Sequence, residues 1–393
     1  MLFVSAGLSE RGGGIAVAGR LLLDSTRAWA ADRGIAVRLL TLGEPSDLPP
    51  GVDGEAFSGD RGALARAVWR THFFDGYRHH VYDFLGVARI QGVLPSRLRA
   101  RYLLYLYGIE CWVPLRGSRR RAVAGAETRL ACSAYTVDRM RRVNPDAPAV
   151  TPLHLALGEA ALADGAPDPK VLEGIGDHAV LIVGRLAPGE RYKGHEQLIA
   201  AIAQMTRPTS GDDVERADQL IIVGEGEDRD RLASIASSLG VADRVRFTGF
   251  VDAATLAALY ERCAVLAMPS DGEGFGFVYL EAMRAAKPCI ALAGSAAAEI
   301  VVDGETGRLV APGVEPLVRA LEELLGDPAR AAALGAAGRA RWQREFRPEV
   351  FRARFATHLD ALTAAENATA TDSPSAVNAT GSSDAAAVAG MER

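Results

Sequence analysis

The chain has 393 residues, a net charge of −5, 49% hydrophobic and 24% charged residues, a balance that excludes a fibrous or largely disordered protein. At about 100–200 residues per domain, this length leaves room for two cores. The four cysteines, Cys111, Cys132, Cys263 and Cys289, have no C-x-x-C spacing and are too few for a disulfide scaffold, and the seven histidines include no H-E-x-x-H. They predict small buried thiols in a reducing compartment and no metal site.

Residues 2–6 form a short apolar run without a basic lead-in, which reads as a first buried strand and not as a signal peptide. Gly12-Gly13-Gly14 follows, then a helical pattern over 15–33, a stop at Gly34 and a strand at 35–40. Further strands are predicted at 81–84, 102–107 and 128–132. Strands alternating with helices predict βαβ units on a parallel sheet. Residues 158–176 are rich in Gly, Pro and Asp and read as a linker. Beyond it come apolar strands at 178–183, 220–223, 245–247, 265–268 and 289–291, again with helices between, which predicts a second doubly wound domain. An amphipathic helix over 347–362 follows, and then a tail of Ala, Ser, Thr and Asn with almost no large apolar residues. The expected organisation is therefore a first Rossmann-like domain at 1–157, a linker at 158–176, a second domain at 177–346, a helix at 347–363 returning toward the first domain, and a disordered tail at 364–393.

Charge is unevenly placed. Between Arg89 and Arg142 there are 12 arginines, no lysine and three acids, Glu110, Glu127 and Asp138. Such a segment could meet an anionic membrane surface or a pyrophosphate-bearing acceptor. The competing reading is a solvated face in a protein whose only lysines are Lys170, Lys193 and Lys287. No nucleic-acid motif accompanies the charge, so nucleic acid is not an expected partner. No apolar run reaches the roughly 18–20 residues that span a bilayer. The expected location is cytoplasmic, at most peripheral at the inner face of the membrane.

Two segments carry chemistry. In the first, Glu273-Gly274-Phe275-Gly276-Phe277 runs on to Glu281, so two glutamates eight apart straddle a glycine-rich bend that opens a helix. Glycines let backbone N–H groups crowd an anion, and the helix N-terminus favours negative charge. A diphosphate suits that bend, with Glu273 able to hold a sugar and Glu281 a ribose. In the second, Gly184-Arg185 and Lys193-Gly194 lie just after the first strand of the second domain, at the strand end where open α/β sheets bind ligands. A planar guanidinium and a mobile ammonium can neutralise the charge that develops on a departing diphosphate.

Together these segments resemble the glycosyltransferases of the GT-B fold, of the family 4 type, over nearly the whole second domain. The likeness extends to Val223-Gly224-Glu225-Gly226 and to Val245–Val251 (VRFTGFV). The resemblance implies two Rossmann-like domains facing each other across a cleft. It implies that Arg185 and Lys193 bind the donor pyrophosphate, Glu281 the ribose and Glu273 the donor sugar. The Phe275–Phe277 amides would contact sugar and phosphate, and Val251 and the Glu225 loop would line the base pocket. In the first domain, Gly12-Gly13-Gly14 resembles the family's glycine pair facing the donor phosphates. Gly108-Ile109-Glu110 resembles its H-G-x-E element and Ser133-Ala134-Tyr135-Thr136 its S-x-x-T. Tyr107 stands where the family carries histidine; a phenol donates a hydrogen bond but does not become a cation. Tyr107, Gly108 and Glu110 are thus the residues expected beside sugar and acceptor.

The implied activity is transfer of a sugar, with retention, from a nucleotide sugar (UDP- or GDP-linked) to a glycan, lipid-linked or small hydroxyl acceptor. Arg185, Lys193, Glu273 and Glu110 are the candidate catalytic residues, and no cofactor or metal is required. Asp228-Arg229-Asp230, a superficial D-x-D, reads as solvated surface. The alternatives are a nucleotide-sugar epimerase or phosphorylase on the same fold, and a non-catalytic relative that binds nucleotide sugar. A nicotinamide oxidoreductase lacks its G-x-G-x-x-G here.

Overall fold

The computed structural model describes residues 1–9, 13–159, 165–176, 178–205 and 219–370, the last six of these by backbone alone. The first sheet holds β1 (Leu2–Ser5), β2 (Arg38–Thr41), β3 (Gly54–Ala56), β4 (His79–Tyr82), β5 (Arg101–Leu106), β6 (Thr128–Ala131) and β7 (Thr151–Pro152). All its pairings are parallel, in the order β3-β2-β1-β4-β5-β6-β7. The strands alternate with α1 (Gly13–Ala31), α2 (Arg61–Phe73), α3 (Leu85–Gly92), α4 (Gly117–Gly125) and α5 (Ala134–Val143).

Because strand side chains alternate between faces, successive residues feed two different cores. Leu2, Val4, Leu40, Tyr82, Leu104 and Leu106 pack with Leu64 and Val68 of α2, Leu85 of α3 and Val123 of α4. Phe3, Leu39, Val81, Leu103 and Leu130 face the other way, toward Leu22, Leu23 and Trp29 of α1. Full burial of each such side chain contributes about 1.5–3 kcal/mol.

After α6 (Pro169–Leu172) the second sheet is built from β8 (Ala179–Val183), β9 (Gln219–Val223), β10 (Val245–Gly249), β11 (Val265–Met268), β12 (Cys289–Leu292) and β13 (Gly307–Val310). It is also wholly parallel, in the order β10-β9-β8-β11-β12-β13. Its helices are α7 (His195–Gln204), α8 (Arg229–Ser238), α9 (Ala253–Arg262), α10 (Phe277–Arg284), α11 (Val314–Gly326) and α12 (Pro328–Glu345), followed by α13 (Pro348–Ala370). Three strands escape the sequence pattern. β3 and β7 are short edge strands containing Gly54 and Pro152, and β13 opens on Gly307, whose missing side chain lets it lie against the Cys289 backbone.

Part of the expected linker is not a free tether. Leu172 of α6 is buried, and the Asp168 N–H donates to Thr255 Oγ1 of α9 at 2.8 Å; residues 160–164 lie outside the described chain. At the other end α13 lies on α1. Phe351, Phe355, Leu359 and Leu362 join the α1 face of the core, Trp29 Nε1 donates to Asp360 at 2.9 Å, and Arg33 pairs with the same carboxylate at 2.8 Å. The helix runs to Ala370, past the boundary expected at 363, because the alanine-rich continuation AAENATA suits a helix as well as it suits a tail. Residues 371–393 are outside the described chain. The backbone crosses between the domains at two adjoining points, where Leu157 N–H donates to Phe346 O and Trp342 Nε1 to Leu157 O.

Candidate active site

Sheet order places the predicted residues of the second domain side by side. β10, β9, β8 and β11 are neighbours, and their C-terminal ends lead to Val251, Glu225, Arg185 and Glu273 in turn. Val251 is half-buried against the domain core, while Glu225 is exposed. Arg185 is largely exposed and bonds to Glu190. Lys193 ends the 3-10 turn Pro188–Lys193 and sends its ammonium across to Glu273, Nζ to Oε1 at 2.7 Å, with Glu190 Oε2 at 3.6 Å. Lys193 and Glu273 are each less than one-fifth exposed, so the pair is only partly screened by solvent. Two cations and two carboxylates thus form one cluster, and Glu190, three residues before Lys193, is a member that the motifs did not single out.

The turn is held from behind. Arg191 donates to Asp228 through Nη2 at 2.7 Å, and Arg231 reaches the same carboxylate through Nε and Nη2 at 2.8 and 2.7 Å. Hydrogen bonds from Arg231 and then Arg191 hold the Asp228 carboxyl well below the usual carboxylate range. This corrects the solvated reading of the Asp228-Arg229-Asp230 triplet for its first member. Asp228 is buried just before α8, facing arginines from two elements, whereas Asp230 is exposed.

Gly274, Gly276 and the two phenylalanines shape the bend before α10. At Gly276 φ is +99°, a conformation that costs a side-chain-bearing residue energy, and it turns the chain into Phe277 so that the first N–H groups of α10 are free of helix partners. A Cβ on Gly274 would lie 1.8 Å from the carbonyl oxygen of Tyr107, so only glycine permits this approach between the domains. The Phe275 ring is buried, packing on His154 and Phe346. Glu281 sits one turn into α10 and accepts from Tyr260 Oη at 2.6 Å; burial pushes its carboxyl up.

The first domain supplies the opposite wall from β1, β4, β5 and β6, which are also neighbours. Gly14, at the start of α1, faces Phe277: a Cβ there would meet the ring at 3.4 Å. Gly13 is beside it, and Gly12 lies outside the described residues. Tyr107 is buried, and its hydroxyl has no hydrogen-bond partner among the described residues. Burial, then the nearby Asp83 carboxyl, pushes the phenol well above its usual value. Glu110 turns back on its own loop and accepts from the Tyr107 N–H at 2.6 Å, while burial raises its carboxyl. Gly108 begins that turn, with Cys111 and Trp112 N–H groups donating to its carbonyl.

Asp83, just after β4, is a residue the motifs did not single out. It is fully buried and accepts from Ser5 Oγ at 2.6 Å and the Ala6 N–H at 3.0 Å, tying β4 to the loop that leads into the glycines. Burial pushes its carboxyl up to about 7. Glu299, at the end of the 3-10 turn Ala296–Glu299 after β12, is another. It crosses the cleft to accept from the Ala134 and Tyr135 N–H groups of α5 at 2.8 and 2.7 Å. Although burial pushes the Glu299 carboxyl up, bonds from His154 and from these two N–H groups hold it below the usual range.

The arginine-rich segment divides in two. Arg101 pairs with Glu127, Arg121 caps the Gly92 carbonyl, Arg129 reaches the Ala149 carbonyl and Arg139 covers the Trp112 ring. Arg116, Arg119, Arg120, Arg141 and Arg142 stay exposed, with Ile109 and Val113 exposed as well. Among the described residues no helix is long and apolar enough to cross a membrane.

Residues 169–341 match the family described as glycosyl transferases group 1. A GDP-mannose-dependent alpha-(1-6)-phosphatidylinositol monomannoside mannosyltransferase of Mycolicibacterium smegmatis is 38% identical over 189 residues, 44% of this chain and 47% of the relative. An alpha-D-kanosaminyltransferase of Streptomyces kanamyceticus is 30% identical over 260 residues, 64% of this chain and 65% of the relative. The alignment with the first of these thus spans about half of that relative's length. Among solved structures, sucrose-phosphate synthase from Thermosynechococcus elongatus superposes with a TM-score of 0.72 at 22% identity, covering 93% of this chain and 99% of that one. HepE of Anabaena in complex with UDP-glucose does so with a TM-score of 0.72 at 20% identity, covering 92% and 100%. The second domain thus matches the group 1 glycosyl transferases over residues 169–341, and the two parallel sheets with their flanking helices have the GT-B fold of these solved structures.

Proposed function

We propose that this protein transfers a sugar from a nucleoside diphosphate sugar to a hydroxyl acceptor, with retention and without a metal ion, as a family 4 type enzyme. The observation that carries the reading is the partly buried Lys193–Glu273 pair, with Arg185 beside it, at the mouth of β8 and against the glycine bend of α10. A diphosphate entering there exchanges carboxylate partners for phosphate oxygens on both cations, while the first N–H groups of α10 add donors at the same point. Glu273, released from Lys193, is then free to accept from sugar hydroxyls, and Glu281 from a ribose. As the anomeric bond breaks, negative charge grows on the leaving phosphate, where Arg185 and Lys193 stabilise it. The acceptor oxygen bonds to the anomeric carbon on the face the phosphate leaves, and its proton passes to that phosphate oxygen.

GDP-mannose is the donor favoured by the mannosyltransferase relatives. A glycan or lipid-linked acceptor suits the exposed Arg116, Arg119 and Arg120, which would also suit an anionic membrane surface. The test is a thermal-shift series with GDP, UDP, ADP and dTDP, each with and without EDTA, followed by turnover of the matching nucleotide sugars. A nucleotide at 100 times its Kd adds about 2.7 kcal/mol to stability. One nucleotide raising Tm with and without EDTA, and its mannose or glucose conjugate being consumed, is the expected outcome; no shift from any of the four sinks the reading.

A further inference from the structure

The N-terminal end of α5 is capped by two domains at once. Its own Ser133 Oγ accepts from the Thr136 N–H at 3.1 Å, an ordinary cap. The N–H groups of Ala134 and Tyr135 are instead taken by Glu299 of the other domain, one on each carboxylate oxygen. His154 Nε2 lies 2.7 Å from Glu299 Oε2 and completes the cluster. A carboxylate at a helix N-terminus gains from charge-assisted bonds and from the helix dipole together. This cap exists only while the domains are apposed.

The same helix end grips the bend of the expected donor site. Ser133 Oγ donates to the Gly274 carbonyl at 2.6 Å, and Cys132 Sγ lies 3.1 Å from it. Tyr135 Oη donates to the Asp271 carbonyl at 3.2 Å, and Arg139 Nη1 to the same oxygen at 3.3 Å. The His154 ring packs 6.0 Å from Phe275 and 5.9 Å from Phe346, at the point where the chain crosses between domains. Residues 271–275, which carry Glu273, are thus held from the first domain on one side and by the Lys193 turn on the other.

We infer that Glu299, with His154 and the first turn of α5, forms a latch that holds the two domains closed and thereby sets the shape of the 271–275 bend. Glu299 is a positioning residue: it reaches the reacting groups only through that bend, from Glu273 to Lys193. The inference rests on the proposed activity for its catalytic readout, but domain spacing tests it separately. The latch also explains why Gly274 can meet the Tyr107 carbonyl so closely, since the contact forms only when α5 is drawn against the bend.

The experiment labels one exposed position in each domain. Since the native cysteines described are all buried, Ser96→Cys and Ser237→Cys give two spin-label sites on the full chain. Spin–spin distances are measured for the parent, Glu299→Gln and His154→Ala, alongside Tm and steady-state kinetics with the active nucleotide sugar. Glu299→Gln puts an amide N–H where one oxygen accepted. The expected result is a longer, broader distance distribution, an almost unchanged Tm, and kcat lower by about ten-fold with KM for the donor changed much less, the worth of one charge-assisted bond. His154→Ala gives a smaller change of the same kind, and it alone decides the matter if Glu299→Gln does not fold. Unchanged distances with unchanged kcat overturn the latch, as does a lower Tm at unchanged distance, which marks a plain structural brace. If the parent turns over no nucleotide sugar, the activity reading fails while the distances still decide the latch.

Discussion

The two walls of the cleft are laid on sheets that share a 3-2-1-4-5 core order, yet they approach a ligand differently. The second domain brings charge: Arg185, Lys193, Glu190 and Glu273 are paired among themselves at the ends of β8 and β11. The first domain brings neutral or buried groups: glycines at the start of α1, the Tyr107 hydroxyl, which has no partner among the described residues, and Asp83 under the β1 loop. On the proposed activity, one wall neutralises the leaving group and the other presses close to it. The difference teaches that equal topology at two strand ends does not assign equal work; the side chains placed there do.

Three measurements test that division, and the largest effect belongs to the charged wall. Lys193→Ala removes the ammonium that joins Glu273 and Glu190, and kcat is expected to fall by about a thousand-fold, or ~4 kcal/mol, with the far-UV circular dichroism unchanged. A loss under ten-fold would erase the contrast between the walls.

Next comes the buried carboxyl of the neutral wall. The folded Asp83 carboxyl titrates near 7, above its unfolded value, so the unfolded chain gives up this proton first. Stability from this group is therefore intact below about pH 4, declines as pH rises toward about 7 and then levels off, a change of up to about 4 kcal/mol. Asp83→Asn has no such proton to lose. Its Tm relative to the parent is expected to climb between pH 4 and pH 7, and a pH-independent difference would mean that the buried carboxyl is already ionised at pH 4.

The smallest effect is at Tyr107. Deleting a buried hydroxyl that has no partner among the described residues relieves an unmet hydrogen bond, so Tyr107→Phe should stabilise the fold by about 1 kcal/mol while lowering turnover if the hydroxyl meets the sugar. A drop in Tm with normal turnover would assign the hydroxyl to the fold instead.

Three groups of the charged wall, Arg185, Lys193 and Glu273, were legible in the sequence because they sit in glycine-flanked motifs that follow the ends of β8 and β11. Folding brings the two motifs together, with Lys193 paired to Glu273. The groups that join the walls were not legible. Glu299 meets Ala134 and Tyr135 only because two separate domains are brought face to face, and no local pattern in Ala296–Glu299 announces it. Asp228 was misread for a related reason. In a run of charged residues every member looks solvated, yet the start of α8 turns one carboxylate inward toward Arg191, which belongs to a different turn. Glu190 left a weak signal, an acid three residues before the lysine of the motif.

The packing of α13 on α1 has a consequence for how the protein is made. The first domain lacks part of the cover over Leu22, Leu23 and Trp29 until α13 is available, and α13 follows the entire second domain in the chain. At ribosomal rates of about 5–20 residues per second, the stretch from β7 to α13 emerges on the order of 10–40 s later. During that interval the first domain waits with an apolar stripe uncovered while the second can finish its own core. A helix translated after the second domain therefore closes the domain translated before it.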